Sequence, residues 1–285
     1  MRIAVLSDIH SNYKALERCL EYLLSQNIDT FIFLGDYIGE LAYPERTMQL
    51  LYDLMDRYQC YFIKGNKEEY WLNYKNEGER GWKDKDSTTG ALLYAYKSLN
   101  ARDMKFFETL QTVRYFKVQD LPAITLCHGS PFNTSQKLLP NDAKTMEAMN
   151  KVETPLILCG HSHIQRRFVH KDKYVLNPGS VGVPFLSDGK AQFLILHGKD
   201  GCWREEFISL KYDVERVILD MREAKLYEHA PYWSQITEHI LHGCNISHGT
   251  VLSRAIEITI DETGSCIWPD IPEECWERAV KELIG

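Results

Sequence analysis

Seven side chains able to bind a metal ion fall in five short polar segments. Asp8 and His10 lie in Ser7-Asp8-Ile9-His10, Asp36 in Gly35-Asp36, and Asn66 in Gly65-Asn66. His128 opens His128-Gly129, and His161 and His163 lie in Gly160-His161-Ser162-His163. Two carboxylates, one carboxamide and four imidazoles are too many ligands for one tetrahedral ion; they suit two ions that share a carboxylate. Imidazole with carboxylate favours manganese or iron, with zinc as an alternative, whereas magnesium takes mostly oxygen. Two ions roughly 3.5–4 Å apart can clamp the attacking and leaving oxygens of an in-line displacement. Taken singly the segments are ordinary. Gly-Asp and Gly-Asn are turn dipeptides, and a histidine after a strand is more often a rim or core residue. What sets them apart is a shared position: each follows directly on an apolar run.

Those runs, Arg2–Ser7, Thr30–Leu34, Cys60–Ile63, Ala123–Cys127 and Leu156–Cys159, read as strands. Between the first three lie Asn12–Ser25, with Leu16, Leu20, Leu23 and Leu24 at helical spacing, and Pro44–Asp56, with Met48, Leu51 and Met55 on one face. Strand, helix, strand, helix, strand predicts a mainly parallel, doubly covered α/β sheet. Side chains just past the ends of parallel strands converge, where open α/β sheets place their ligands. Glycine at 35, 65, 129 and 160 is expected to let the chain turn tightly at each end. Residues 67–115 break the alternation and read as a helical insertion, with helices at Thr89–Leu99 and Asp103–Leu110 and a charged loop near Gly78–Asp86. A hairpin follows, pairing Phe168–His170 with Tyr174–Leu176, and then an antiparallel pair, Gln192–His197 with Trp203–Ser209. From Lys211 the pattern is mostly helical, which divides the chain into a domain over 1–211 and an extension over 212–285.

A net charge of -7 speaks against a surface built to coat nucleic acid, which needs excess Lys and Arg. It is compatible with a small phosphorylated substrate, because bound cations reverse the local field. The first apolar run is too short for a signal peptide and no run is long enough to span a bilayer. Eight scattered cysteines with no C-x-x-C pair predict free thiols and a cytoplasmic protein without a membrane partner. Cys127 and Cys159 read as buried strand residues.

In order along the chain, Asp8-x-His10, Gly35-Asp36, Gly65-Asn66, His128 and Gly160-His161-x-His163 resemble the calcineurin-like metallophosphoesterase superfamily. Asn177-Pro178-Gly179-Ser180-Val181 resembles its compact bacterial branch, and the resemblance covers about residues 1–210. It implies a four-layer α/β sandwich with two mixed β-sheets, here followed by the helical extension. It also implies that Asp8, His10 and His163 hold one ion and Asn66, His128 and His161 the other, with Asp36 bridging. A hydroxide between the ions would be the nucleophile, and Asp36, Asn66, His128 and the adjoining Lys67 are the catalytic candidates.

Many relatives carry a histidine after Gly-Asn as a candidate general acid, whereas this chain reads Gly65-Asn66-Lys67-Glu68. With an ordinary pKa of ~10.4 a lysine is a poor acid near neutrality, though its charge can bind phosphate; a solvated or ion-paired lysine is the plainer alternative. Asn12, Arg166 and Ser180 are weaker candidates for substrate or ligand contacts, since Asn and Ser also cap helices and turns and Arg166-Arg167 reads equally as a solvent-facing pair. His170, His197, His229, His239, His242 and His248 fall outside the motifs and receive no role. Tyr227, Tyr232 and Trp233 in the extension read as helix-packing residues, with base stacking as the alternative.

The activity expected is hydrolysis of phosphoanhydride or phosphodiester bonds in small nucleotides. Dinucleoside polyphosphates are a substrate class known among similar bacterial enzymes. A serine/threonine protein phosphatase is the rival reading, weakened by Lys67; a non-catalytic scaffold is weakened by the full ligand set. The extension is expected to lie over or beside the metal face and restrict substrate size.

Overall fold

Alternation within the first strand decides the architecture. In the computed structural model, which describes all 285 residues, β1 (Arg2–Leu6) buries Ile3 and Val5 on one face and Ala4 and Leu6 on the other. A strand buried on both faces needs a packed layer on each side. β2 (Thr30–Phe33) does the same, with Phe31 and Phe33 against Ile32. The helices α1 (Tyr13–Ser25) and α2 (Pro44–Met55) connect these strands and β3 (Gln59–Phe62) and cover the outer face. The insertion helices α3 (Asn66–Asn76), α4 (Gly90–Lys97) and α5 (Ala101–Thr109) join the same layer through Trp71, Ala95 and Phe107.

The inner face meets a second sheet rather than helices, so the single doubly covered sheet expected from the strand-helix alternation is in fact two. The chain crosses over after α5 through β4 (Val113–Phe116), then continues as β5 (Ile124–Cys127), α6 (Ala143–Lys151), β6 (Leu156–Leu158), β7 (Gln165–His170) and β8 (Lys173–Pro178). Ile3, Val5, Ile32 and Leu34 of the first sheet pack on Ile124, Leu126, Leu156 and Leu158 of the second. Two apolar inner faces bury each other better than either would against solvent. Helix α6 closes the far side, with Met149 over Ile157 and Cys127. The result is the four-layer sandwich.

Strands β9 (Ala191–Lys199) and β10 (Cys202–Leu210) return to the first sheet, giving the order β10-β9-β1-β2-β3; the second runs β4-β5-β6-β8-β7. Pairing is parallel for β1–β2–β3 and for β5–β6–β8, and antiparallel elsewhere, so both sheets are mixed. Helices α7 (Val214–Glu223), α8 (Leu226–His229), α9 (Pro231–Leu241), α10 (His248–Thr263) and α11 (Glu273–Leu283) form the extension. Their core, built on Ile236, Ile258 and Trp276, takes in Leu41, Ala42 and Val183 from the first domain. The extension is therefore rooted in the loop that follows Asp36 and in the loop that follows β8, whose Val183 carbonyl also meets His163. No helix is long and apolar enough to cross a membrane.

Candidate metal centre

The five polar segments leave the ends of β1, β2 and β3 in one sheet and of β5 and β6 in the other, and meet across the seam. Backbone bonds hold the loops together: the Asp8 amide donates to the Gly35 carbonyl (3.1 Å) and the Gly160 amide to the His128 carbonyl (2.7 Å). Across the sheets, the His161 amide donates to Asp8 Oδ2 at 3.0 Å. Only part of the expected glycine role is conformational. Gly35 has φ of +93°, but Gly65 and Gly160 have ordinary backbones and serve by lacking a Cβ. A methyl at Gly65 would come within 2.2 Å of Asp36 Oδ1, and one at Gly160 within 2.7 Å of Asp8 Oδ2. The sharp turns fall on the ligand candidates themselves, since Asp8, His10, Asp36, His161 and His163 all have φ between 51° and 63°.

Two groups of donors result. His163 Nε2 lies 3.2 Å and His10 Nε2 3.7 Å from Asp8 Oδ1. His128 Nε2 lies 3.0 Å from Asn66 Oδ1. Asp36 stands between them, Oδ2 at 3.6 Å from His10 Nε2 and Oδ1 at 3.5 Å from His128 Nε2. Asp8 also reaches the second group, at 3.9 Å from His128 Nε2. His161 stacks edge-on against His128, with ring centroids 5.1 Å apart.

Each imidazole is fixed through its other nitrogen. Nδ1 of His10 points at Glu40 (3.0 Å), Nδ1 of His128 at the Leu34 carbonyl (2.7 Å), and Nδ1 of His163 at the Val183 carbonyl (2.7 Å). His161 is reversed: Nε2 donates to the Ser135 carbonyl at 3.0 Å, which leaves Nδ1 for the centre. Outer acceptors of this kind set the tautomer and aim the lone pair inward, as metal-binding histidines require. Asp8 Oδ1 is fully buried and accepts no hydrogen bond, an orphan that a cation would satisfy. The donor set therefore fits two divalent ions.

The electrostatics agree. Burial opposes charge on Asp8, yet His163 and His128 outweigh it and hold the carboxyl well below the usual range. Asp36 is lowered to about 2 against burial, chiefly by His128. His10 is raised to about 10, where Glu40 and Asp8 overcome burial, and His128 to about 9 by Asp36 and Asp8. His161 is lowered to about 4 by burial and by the charge of His128. A cation takes only a neutral imidazole, so any ion held here would compete with protons for His10 and His128.

Residues 1–201 match the calcineurin-like phosphoesterase superfamily domain. The chain belongs to the calcineurin-like phosphoesterase superfamily. It is 28% identical to an uncharacterized protein of Methanocaldococcus jannaschii over 236 residues, covering 75% of this chain and 89% of that one. Its fold is similar to that of a metallophosphoesterase from Sphaerobacter thermophilus, with a TM-score of 0.66 and 24% identity, over 86% of this chain and 100% of the other. A hypothetical protein from Pyrococcus horikoshii superposes with a TM-score of 0.70 and 20% identity, over 86% and 99% of the two chains.

The centre has further residues around it that the motifs do not announce. Glu68 is buried and its carboxylate accepts the amides of Asp36, Tyr37 and Gly65, which ties the second and third motif loops together. Its pKa is raised to about 7 by burial and by Asp36. Glu40 is buried between His10, Lys67 Nζ (3.7 Å) and His248 Nδ1 (3.9 Å). It is held well below the carboxylate range, against burial, by His10 and then Lys67. His248 opens α10, stacks on Trp233 at 4.4 Å, and bonds Thr237 through Nε2 at 2.8 Å. The extension thus reaches a partner of a candidate ligand.

Lys67 is only 13% exposed, and Glu40 and Asp36 raise its pKa despite burial. It is a half-buried cation paired with Glu40 beside the centre. Asn12 caps α1, accepting from the Ala15 amide at 3.0 Å and donating to the Gly182 carbonyl at 2.9 Å. Ser180 donates to the Asp8 carbonyl at 2.8 Å and accepts the Val183 amide at 2.8 Å. Both brace the ligand loops. Arg166 lies half-buried on β7 beside Cys159, and Arg167 pairs with Glu205 at 3.3 Å.

Glu40 should matter through His10. In Glu40→Gln the fold should survive by circular dichroism while affinity for one ion falls about 10–100-fold, the usual cost of losing an outer-shell partner. Unchanged affinity in a manganese titration would show that the Glu40–His10 contact is incidental.

Proposed function

We propose that this chain is a dinuclear metal-dependent hydrolase of phosphoanhydride or phosphodiester bonds in small nucleotides. The observation that carries the reading is Asp36, with one oxygen toward His10 and the other toward His128, between two buried donor groups. Asp8, His10 and His163 would hold one ion and Asn66, His128 and His161 the other, with Asp36 shared. Manganese or iron suits these donors best, and zinc is compatible. The ions would supply positive charge for the phosphoryl oxygens and an activated water.

The protein's own part is to hold these donors rigidly, through Glu40, Leu34, Val183 and Ser135, and to place one permanent cation, Lys67, at the edge of the centre. Because Glu40 and Asp36 keep Lys67 charged, it can bind a phosphate but cannot give up a proton readily. This favours leaving groups that depart as stable anions over the alkoxide of a phosphoserine.

Protein stripped with chelator and reconstituted should bind about two manganese or iron ions per chain and hydrolyse nucleotide anhydrides or diesters. One ion per chain at saturation would remove the shared-carboxylate arrangement. Turnover of phosphoserine peptides above every nucleotide would favour the protein phosphatase reading instead.

A further inference from the structure

A cavity of about 170 Å³ opens beside the metal centre. Three of its polar residues, Glu40, Asn66 and Lys67, belong to the centre. One wall is formed by Tyr70, Ala91 and Leu92 of the insertion helices. Trp233, Leu252 and Trp268 of the extension complete the apolar lining. The Thr88 hydroxyl, also in the lining, is already bonded by the Trp276 indole at 3.0 Å. The lining thus joins charged and polar groups of the metal centre to apolar and aromatic side chains.

Resting on the phosphoesterase reading above, we propose that this cavity is a substrate subsite that accepts a flat aromatic ring carried by the phosphate, recognised by stacking and shape. Size permits it: an apolar cavity of about 150 Å³ takes up benzene. Chemistry favours it, because aromatic walls gain from an inserted π-face and few polar groups inside can read a ring edge. The walls are held in place beforehand. Trp233 stacks on His248 at 4.4 Å and packs edge-on against Trp276 at 5.9 Å, so little order need be gained on binding. Lys67 Nζ sits 5.8 Å from the Trp233 ring, which puts a cation where the ring ends and the phosphate begins. A subsite of this kind would tolerate different bases while rejecting substrates that have no ring.

Calorimetry on metal-loaded protein with adenosine, phenol and ribose tests this without turnover, since none has a phosphate to lose. Adenosine should bind about tenfold or more tighter than ribose, the scale of one stacked base. Phenol distinguishes a one-ring from a two-ring fit; either ring binding above ribose upholds the subsite. Leu252→Trp fills the cavity and should abolish the advantage of the ring. Trp268→Ala, at a position 52% exposed and safe for folding, should weaken ring binding several-fold. Equal affinity for adenosine, phenol and ribose, or ring binding untouched in both variants, would overturn the proposal. Ring binding in a protein inactive on every phosphoester would instead refute the activity and leave the subsite standing.

Discussion

Asp36→Asn should lose roughly three orders of magnitude in kcat and fail to retain both ions. Asp36 stands between the two donor groups, 3.6 Å from His10 and 3.5 Å from His128, so under the proposed arrangement the substitution would weaken charge compensation at both ions together. Lewis-acid charge stabilisation is worth several kcal/mol, and each ~1.4 kcal/mol is a tenfold change in rate. An asparagine is nearly isosteric and can still accept the Lys67 amide that Asp36 Oδ1 accepts at 2.9 Å, so the fold should persist. His161→Ala removes a donor from one group alone and should cost less. Metal analysis and kcat on both variants, with circular dichroism as the control, make the comparison. Undiminished turnover in Asp36→Asn would remove the shared-ligand arrangement.

The second large effect is selectivity for the leaving group. General acid catalysis typically contributes a factor of 10²–10⁴ when the departing oxygen is strongly basic. Lys67, charged and paired with Glu40, does not provide it. The kcat/KM for a dinucleoside polyphosphate should therefore exceed that for a phosphoserine peptide by about 10²-fold or more. Lys67→His should narrow that gap by raising alkyl-ester turnover. Lys67→Ala should raise KM for polyphosphates with little change in the alkyl esters. A wild-type preference for phosphoserine peptides would mean that another group donates the proton.

Sequence and structure part company where tertiary contact takes over. The ligand candidates were legible because each combines two local signals, an apolar run and a polar end, and the seven do converge on the seam. Glu40 carried a faint signal, an acid inside the apolar stretch Tyr37-Ile38-Gly39-Glu40-Leu41-Ala42, but its meaning lies in His10 and His248, which no spacing connects to it. Glu68 acts on backbone amides, which leave no mark on a sequence. Strand β4 is hard to tell from the tail of the helical insertion because, as an edge strand with Tyr115 exposed, it has little inward face. Helix α6 shows in the sequence only through its start at Asp142, whose carboxylate caps the Thr145 amide at 2.8 Å. The two sheets could not be told from one by alternation alone, since a strand buried on both faces reads the same whether helix or sheet covers it.

The left-handed turns at the ligand candidates carry an energetic cost. An L-residue in that conformation costs on the order of 1 kcal/mol relative to glycine, somewhat less for aspartate. Five such positions add up to a sizeable fraction of the ~5–15 kcal/mol by which a domain is stable. Glycine at these turns would relieve the strain but would delete the side-chain contacts that tie the loops together, such as the His161 amide to Asp8 and the Lys67 amide to Asp36. Twelve other non-glycine residues adopt the same conformation, so strain alone does not mark a ligand; what distinguishes these five is that the residue making each turn is also the one whose side chain enters the seam.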